Sequence, residues 1–266
     1  MKSTVALLSL LAACAGATLR DNDIGRSAAV EHEPVAASTG ETVASAPSET
    51  DDPPGPLELE VPGFGPAVVV LPEARARPAP LLVAAHGAGD APEWQCEHWG
   101  TIARGRYFVL CPRGTSLGGG GYYYATHIAL ERELVAALGA MRRTHGSMVR
   151  PNGGVYTGYS QGATMGALMI VDHGAELSHL VLVEGGWGDW TLGRAKRYAA
   201  TGGKSVALVC GGTGCMHRAE AAVKVLERAN LRARAELAEG GGHTYVGPVG
   251  ERATELFETW LFAGDG

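Results

Sequence analysis

Residues 158–162 read Gly-Tyr-Ser-Gln-Gly and flank Ser160 with two glycines. In a Gly-x-Ser-x-Gly pattern the glycines let a strand turn sharply into a helix, which leaves the serine hydroxyl exposed as a nucleophile. The surroundings fit, because the apolar run Val155–Thr157 precedes the pattern and a segment of small residues follows it. We therefore predict that Ser160 lies at such a turn, a nucleophile elbow, and attacks a carbonyl carbon.

A serine of this kind needs a general base, and His243 is the candidate. It follows three glycines, residues 240–242, and lies between the last predicted strand and the final predicted helix. Glycine adopts backbone conformations that other residues avoid, so this loop can bring an imidazole to the serine without a clash. We expect His243 to accept the proton of the Ser160 hydroxyl.

The rest of the folded part alternates strand-like and helix-like segments, and this alternation determines how the two residues are positioned. Apolar runs typical of central parallel strands occur at Leu81–Ala85, Tyr107–Leu110, Val155–Thr157, Leu180–Val183 and Val206–Val209, with Ala233–Leu237 as a weaker sixth. Helical spacing of apolar residues occurs in His127–His145, directly after Ser160, in Arg218–Ala229 and in Glu251–Phe262. Two short runs, Leu57–Val61 and Ala67–Leu71, predict an antiparallel start. The pattern predicts an α/β fold with a mostly parallel, doubly wound sheet, helices on both faces and no separate lid domain.

From residue 57 to 262 the sequence resembles lidless α/β-hydrolases, similar to the esterase, dienelactone hydrolase and polyester depolymerase branches. Besides the two segments above, residues 86–89 read His-Gly-Ala-Gly directly after the first central strand and match that family's His-Gly turn. The resemblance implies that the backbone amides of Ala88 and Gln161 form an oxyanion hole, and that His86 braces the turn. It also implies hydrolysis of carboxylic esters through an acyl-enzyme, without a cofactor or a metal.

The third member of a catalytic triad departs from the family's pattern. An aspartate usually follows the strand that here is Val206–Val209, but residues 211–217 read Gly-Gly-Thr-Gly-Cys-Met-His and contain no carboxylate. Glu184, at the end of Leu180–Val183, is the first candidate, since some members place their acid after that strand. Asp189 is the second candidate. A Ser–His dyad is the third, because the acid mainly holds the imidazole's tautomer and stabilises its charge.

The first 56 residues indicate export and anchoring rather than a part of the folded domain. A short apolar run after Lys2, ending in Leu-Ala-Ala-Cys at positions 11–14, is typical of a signal peptide over residues 1–13. That ending also resembles the bacterial lipobox, which would lipidate Cys14 and bind the protein to a membrane of a bacterial cell envelope. An ordinary signal peptide is the alternative. Residues 14–56 lack periodic apolar positions and are predicted to be a disordered tether, which leaves a hydrolase domain at 57–266.

Charge and cysteine content fit an exported protein. The net charge is −6 and no basic stripe is present, so nucleic acid is not an expected partner. Cysteines other than Cys14 number four, an even count that predicts two disulfides. We pair Cys96 with Cys111 and Cys210 with Cys215, because each pair brackets one short segment, although three connectivities are open. A zinc site of Cys210, Cys215 and His217 is the alternative, but its spacing matches no known cluster.

A glycine run at residues 117–124, Leu-Gly-Gly-Gly-Gly-Tyr-Tyr-Tyr, lacks the Gly-Lys-Ser/Thr ending of a P-loop. We interpret it as a mobile rim of the site. Its tyrosines, together with Trp187 and Trp190, could form an aromatic wall around an acyl or aryl group, or they could simply pack at the surface.

The sequence leaves two alternatives to a carboxylesterase. A serine peptidase or a polymer depolymerase would use the same residues, because loops build the substrate pocket. A non-catalytic, surface-binding lipoprotein that kept the fold is the other alternative, and the missing acid after Val209 is the reason for it.

Overall fold

The computed structural model describes residues 55–74 and 77–263. The predicted signal peptide, Cys14 and nearly all of the predicted tether lie outside these residues. The strands are β1 (Leu57–Leu59), β2 (Ala67–Val70), β3 (Leu81–Ala85), β4 (Phe108–Cys111), β5 (Thr115–Gly118), β6 (Gly121–Tyr123), β7 (Gly154–Tyr159), β8 (Leu177–Val183), β9 (Ser205–Cys210) and β10 (Arg232–Leu237). The helices are α1 (Pro92–Ala103), α2 (His127–His145), α3 (Gln161–Met169), α4 (Leu192–Ala200), α5 (Thr213–Glu227) and α6 (Gly247–Glu255), the last extended by a π-helical turn at Leu256–Trp260. In the described part of the chain, no helix is both long and apolar enough to span a membrane.

Eight strands form one sheet in the order β1-β2-β4-β3-β7-β8-β9-β10. The pairs β1–β2 and β2–β4 are antiparallel, and every other neighbouring pair is parallel. This is the mostly parallel sheet with an antiparallel start that the sequence predicts. The chain winds to one side of β3 through β4 and then returns to its other side at β7. The carboxyl ends of β3 and β7 therefore flank the point where the winding reverses, which is the usual place for a site in such sheets.

The central strands are buried because helices cover both faces of the sheet. In β3, Leu81, Val83 and Ala85 belong to one core layer together with α2 to α5, whereas Leu82 and Ala84 belong to the opposite layer with α1 and α6. All five side chains are at most 5% exposed. Apolar residues are needed on both faces of such a strand, which explains the continuous runs in the sequence.

The structure adds elements that the sequence pattern did not indicate. Helix α1 buries Cys96, Trp99, Ile102 and Ala103 on one face, although the polar residues between them hide this spacing in the sequence. Helix α4 buries only Ala195 and Tyr198 and has no full apolar stripe. The segment interpreted as a mobile rim contains most of the hairpin β5–β6. Helices α5 and α6 also begin earlier than predicted, the latter because Pro248 in its first turn supplies a helical φ.

Two disulfides join helices to strand ends. Cys96 of α1 is bonded to Cys111 at the end of β4, and we call this pair the α1–β4 bridge. Cys210 at the end of β9 is bonded to Cys215 in the first turn of α5, and we call this pair the β9–α5 bridge. Both pairs have the connectivity expected from the sequence. The alternative zinc site has no free thiolates in this structure, because the sulfurs of Cys210 and Cys215 are bonded to each other. Its third residue, His217, has a side chain that is 83% exposed.

Candidate active site

Ser160 lies between the end of β7 and the start of α3, next to the point where the winding reverses. Its φ of 49° is in the left-handed region, which residues other than glycine rarely adopt. The flanking glycines make the turn possible, because a Cβ on Gly158 would lie 2.6 Å from the backbone of Gly162, and one on Gly162 would overlap the carbonyl group of Ala85. The Ser160 amide donates to the carbonyl oxygen of Val183 at 2.9 Å and so attaches the turn to β8. These contacts produce the predicted strand–turn–helix geometry.

His243 reaches Ser160 from a loop between β10 and α6. Its Nε2 lies 2.9 Å from Ser160 Oγ, although the two residues are 83 positions apart in the sequence. Gly240 and Gly242 have φ values of 72° and 71°, so the loop uses the left-handed conformations that glycine permits. The imidazole is accessible, since the His243 side chain is 58% exposed.

Glu184 is the carboxylate that contacts His243. Its Oε2 lies 2.9 Å from His243 Nδ1, and its Oε1 accepts a hydrogen bond from the amide of Gly211. The Glu184 side chain is only 7% exposed. Asp189, the second candidate, makes no hydrogen bond to His243 among the described residues. Burial raises the pKa of Asp189, and the nearby Arg194 partly opposes this shift.

The three side chains form one hydrogen-bonded chain, in which an ionised acid assigns the donor and acceptor roles of the imidazole. The Glu184 carboxylate accepts only, so His243 Nδ1 carries a proton and donates it. The lone pair of Nε2 then faces the Ser160 hydroxyl and can accept its proton. The order serine, acid, histidine along the chain matches that of enzymes with a nucleophile elbow.

Tyr159 supports the base from the residue before Ser160. Its hydroxyl donates to the carbonyl oxygen of His243 at 2.9 Å, and the two rings lie 5.3 Å apart between centroids. Burial raises the pKa of Tyr159, and the negative charges of Asp90 and Glu184 raise it further. The phenol therefore stays protonated and remains a donor. The sequence gives no sign of this role, because a contact between a hydroxyl and a distant backbone carbonyl leaves no local signal.

The turn after β3 lies directly against Ser160. A Cβ on Gly87 would be 2.8 Å from the Tyr159 ring and 3.4 Å from Ser160 Cβ, so the turn that carries Ala88 packs against the nucleophile. Gln161 supplies the first amide of α3. Neither the Ala88 amide nor the Gln161 amide donates a hydrogen bond to another described residue. That these two amides form an oxyanion hole stays a prediction, and the positive amino end of α3 favours negative charge there.

His86 contributes to the structure of this turn. The side chain is fully buried, and its ring nitrogens lie 2.8 Å and 2.9 Å from the carbonyl oxygens of Gly87 and Arg113. It also stacks on Tyr124 at 4.5 Å. These contacts fit the expected bracing role.

The hairpin β5–β6 is held to the turn rather than free. Tyr122 exchanges two 2.8 Å backbone hydrogen bonds with the turn, donating to Asp90 and accepting from Gly89. The amide of Tyr124 donates to the side chain of Gln161 at 2.8 Å. The rim is therefore attached to the candidate oxyanion site at three points.

The predicted aromatic wall is divided among different places. Tyr124 is buried in the core, and the Arg113 guanidinium lies 5.3 Å from the centre of the Tyr122 ring. Trp187 and Trp190 line a cavity of about 360 Å³ beside α5. The aromatic residues therefore do not form one continuous surface.

Comparison with known proteins identifies the architecture. No protein-family model and no curated protein matches the sequence. TT1662 from Thermus thermophilus is 17% identical, with 77% of this chain and 97% of that chain covered and a TM-score of 0.58. The carboxylesterase of Bacillus cereus is 22% identical, with 72% and 92% covered and a TM-score of 0.54. Est1E of Butyrivibrio proteoclasticus is 13% identical, with 79% and 100% covered and a TM-score of 0.57. Together with the sheet order and the turn at Ser160, these likenesses show that the chain has the α/β-hydrolase fold.

Proposed function

We propose that the protein is a serine hydrolase that cleaves carboxylic esters through an acyl-enzyme intermediate. The observation that carries this proposal is the hydrogen-bonded chain from Ser160 through His243 to Glu184 at the carboxyl edge of the sheet. The carboxylesterase of Bacillus cereus has a similar fold, which supports an ester as the substrate.

In the first half of the reaction, Ser160 Oγ attacks the ester carbonyl carbon while His243 Nε2 takes the hydroxyl proton. The amides of Ala88 and Gln161 stabilise the tetrahedral oxyanion. The C–O bond to the alcohol then breaks, and His243 returns the proton to the leaving oxygen. In the second half, water attacks the acyl-enzyme with the same base, which releases the carboxylic acid and restores Ser160.

Glu184 orients His243 and stabilises the imidazolium that forms in both halves. Its burial strengthens this interaction, because a charge excluded from water interacts with its partner at a lower effective dielectric constant. The contact with His243 supports an active enzyme over the non-catalytic lipoprotein, since the missing acid was the reason for that alternative.

A peptidase or a polymer depolymerase is the second candidate. The observation in its favour is the 58% exposure of the His243 side chain, which leaves the base open to a bulky substrate. A panel of nitrophenyl esters, peptide amides and polyesters separates these activities.

Fluorophosphonate labelling and ester hydrolysis by Ser160→Ala test the proposal. We expect the variant to lose labelling and turnover, whereas Ser147→Ala, an exposed serine in the connection before β7, keeps both. Hydrolysis by Ser160→Ala at the parental rate would show that another group is the nucleophile.

We further propose that the protein is exported to a bacterial cell envelope and anchored to a membrane by lipidation of Cys14. The disulfides are consistent with an oxidising compartment. Detergent-phase partitioning tests the anchor, and we expect Cys14→Ala to move the protein from the detergent phase to the aqueous phase. Equal partitioning of both proteins would contradict lipidation.

A further inference from the structure

The β9–α5 bridge lies directly beside the candidate acid. A carboxylate oxygen of Glu184 and the sulfurs of Cys210 and Cys215 all lie within 4.8 Å of one another. The bridge closes residues 210–215, of which three are glycines. Glycines give such a segment little conformational preference of its own, so the disulfide adds a constraint to those of β9 and α5 at its two ends.

Gly211, next to Cys210, contacts both the acid and the loop of the base. Its amide donates to Glu184 Oε1, and its carbonyl oxygen accepts from the amide of Gly242 at 3.1 Å. Gly242 directly precedes His243. A Cβ on Gly211 would overlap the backbone of Gly242, so the two chains are as close as glycine allows. One residue beside the bridge therefore sets the position of Glu184 and of the loop that carries His243.

We propose that the β9–α5 bridge is a positioning element of the active site, and that its reduction lowers turnover by releasing Gly211 from Glu184. This inference rests on the proposed function. When the hydrogen bond from the Gly211 amide breaks, Oε1 of Glu184 has lost that partner, and the carboxylate can rotate away from His243. Misplacement of a catalytic group by about 1 Å can cost about 100-fold in rate, so a partial loss of orientation is enough to be measured.

The two bridges differ in their access to a reductant. Cys96 and Cys111 are fully buried, and so is Cys210, whereas Cys215 is partly exposed in the first turn of α5. The thiolate of an external dithiol can therefore attack the sulfur of Cys215 and expel Cys210 as a thiolate. The second thiol of the reagent then closes on the mixed disulfide and releases Cys215. Two electrons and two protons pass to the protein, and the dithiol becomes a cyclic disulfide.

Dithiothreitol titration of two matched variants tests the proposal. Cys96→Ala/Cys111→Ala keeps only the β9–α5 bridge, and Cys210→Ala/Cys215→Ala keeps only the α1–β4 bridge. In the first variant we expect reduction to lower kcat for a nitrophenyl ester by about tenfold with KM unchanged, and reoxidation to restore it. In the second we expect kcat to be low from the start and insensitive to the dithiol. Circular dichroism at the assay temperature checks that both remain folded. Should the first variant not fold, the wild-type protein is titrated instead, with mass-spectrometric mapping of its free thiols.

A double-mutant cycle tests whether the bridge acts through Glu184. Loss of the bridge should lower kcat less in a Glu184→Gln background than in the parent, because the orientation is already lost there. An equal or larger fall in kcat in the Glu184→Gln background overturns the inference. It is also overturned if the oxidised enzyme is active and the dithiol does not change its kcat. An oxidised enzyme that neither hydrolyses esters nor reacts with a fluorophosphonate overturns the proposed function, and this inference with it.

Discussion

Replacement of Glu184 by glutamine keeps the size of the side chain but removes one of two acceptor oxygens. Both carboxylate oxygens are in use, one by His243 Nδ1 and the other by the amide of Gly211. If the glutamine oxygen stays on Gly211, its NH₂ group faces Nδ1. That nitrogen must then become an acceptor, so the proton moves to Nε2 and the imidazole can no longer take the proton of Ser160.

The opposite orientation of the glutamine side-chain amide is higher in free energy. It keeps the correct tautomer of His243 but leaves the buried N–H of Gly211 without an acceptor, which costs about 1–3 kcal/mol. The competent orientation is then populated about 5- to 150-fold less than the other, and the charge that stabilised the imidazolium is gone as well. Replacing the acid by its amide in a trypsin-like enzyme imposes the wrong tautomer on the histidine and lowers kcat by about 10⁴-fold. For Glu184→Gln we expect a fall of about 10³- to 10⁴-fold, which corresponds to about 4–5.5 kcal/mol of activation free energy.

The assay is kcat for nitrophenyl butyrate, with Asp189→Asn as the matched control. The control should stay within about twofold of the parent, because Asp189 makes no hydrogen bond to His243 in the described structure. Retention of more than about a tenth of kcat by Glu184→Gln, or a comparable loss in the control, would refute the reasoning.

Three further perturbations test other parts of the structure. Tyr159→Phe removes the hydrogen bond to the His243 carbonyl, which is worth about 1 kcal/mol, so we expect steady-state kcat to fall about fivefold. An unchanged kcat would show that the aromatic ring alone is enough to position His243. Replacing both cysteines of the α1–β4 bridge by alanine removes a cross-link between residues 15 positions apart. The free energy of unfolding in urea should fall by about 3 kcal/mol, because the unfolded chain gains conformational entropy. A fall of less than about 1 kcal/mol would contradict this explanation. The His173 imidazole 3.6 Å away, with Arg142 alongside, lowers the pKa of Glu176 from 4.5 to about 2, so this carboxylate stabilises the fold above about pH 4.5 and loses that contribution as the pH falls towards 2. Glu176→Gln should therefore flatten the stability curve between these pH values, and an unchanged slope would assign the acid sensitivity to other groups.

Strand positions could be predicted from the sequence because burial on both faces forces uninterrupted apolar runs. Helix α1 could not, because polar residues separate the apolar positions of its buried face. Helix α4 could not be predicted in this way either, since it buries only two side chains and depends on its place against the sheet. Tyr198 illustrates this dependence, because its hydroxyl donates to the carbonyl of Leu177 at 2.8 Å, a contact that only the folded chain creates.

The candidate site divides in the same way. Ser160 and His243 are visible in the sequence, because glycines must surround them for the backbone to turn. The choice between Glu184 and Asp189 needs coordinates, since both follow β8 and only the path of the chain determines which carboxylate reaches His243. The contributions of Gly211 and Tyr159 are hydrogen bonds to distant partners, and local sequence patterns do not record such contacts.

The last strand of the sheet, β10, also bears on how the protein behaves when crowded. Strands at the end of a sheet can pair with those of another molecule, and charged side chains discourage such pairing. Arg234 and Glu236 form an ion pair at 2.5 Å along this strand, and the Arg232 guanidinium lies over the Trp260 ring at 4.7 Å. A second copy would have to strip water from these charges before it could add a strand. The charges of β10 therefore disfavour edge-to-edge pairing of two copies through this strand.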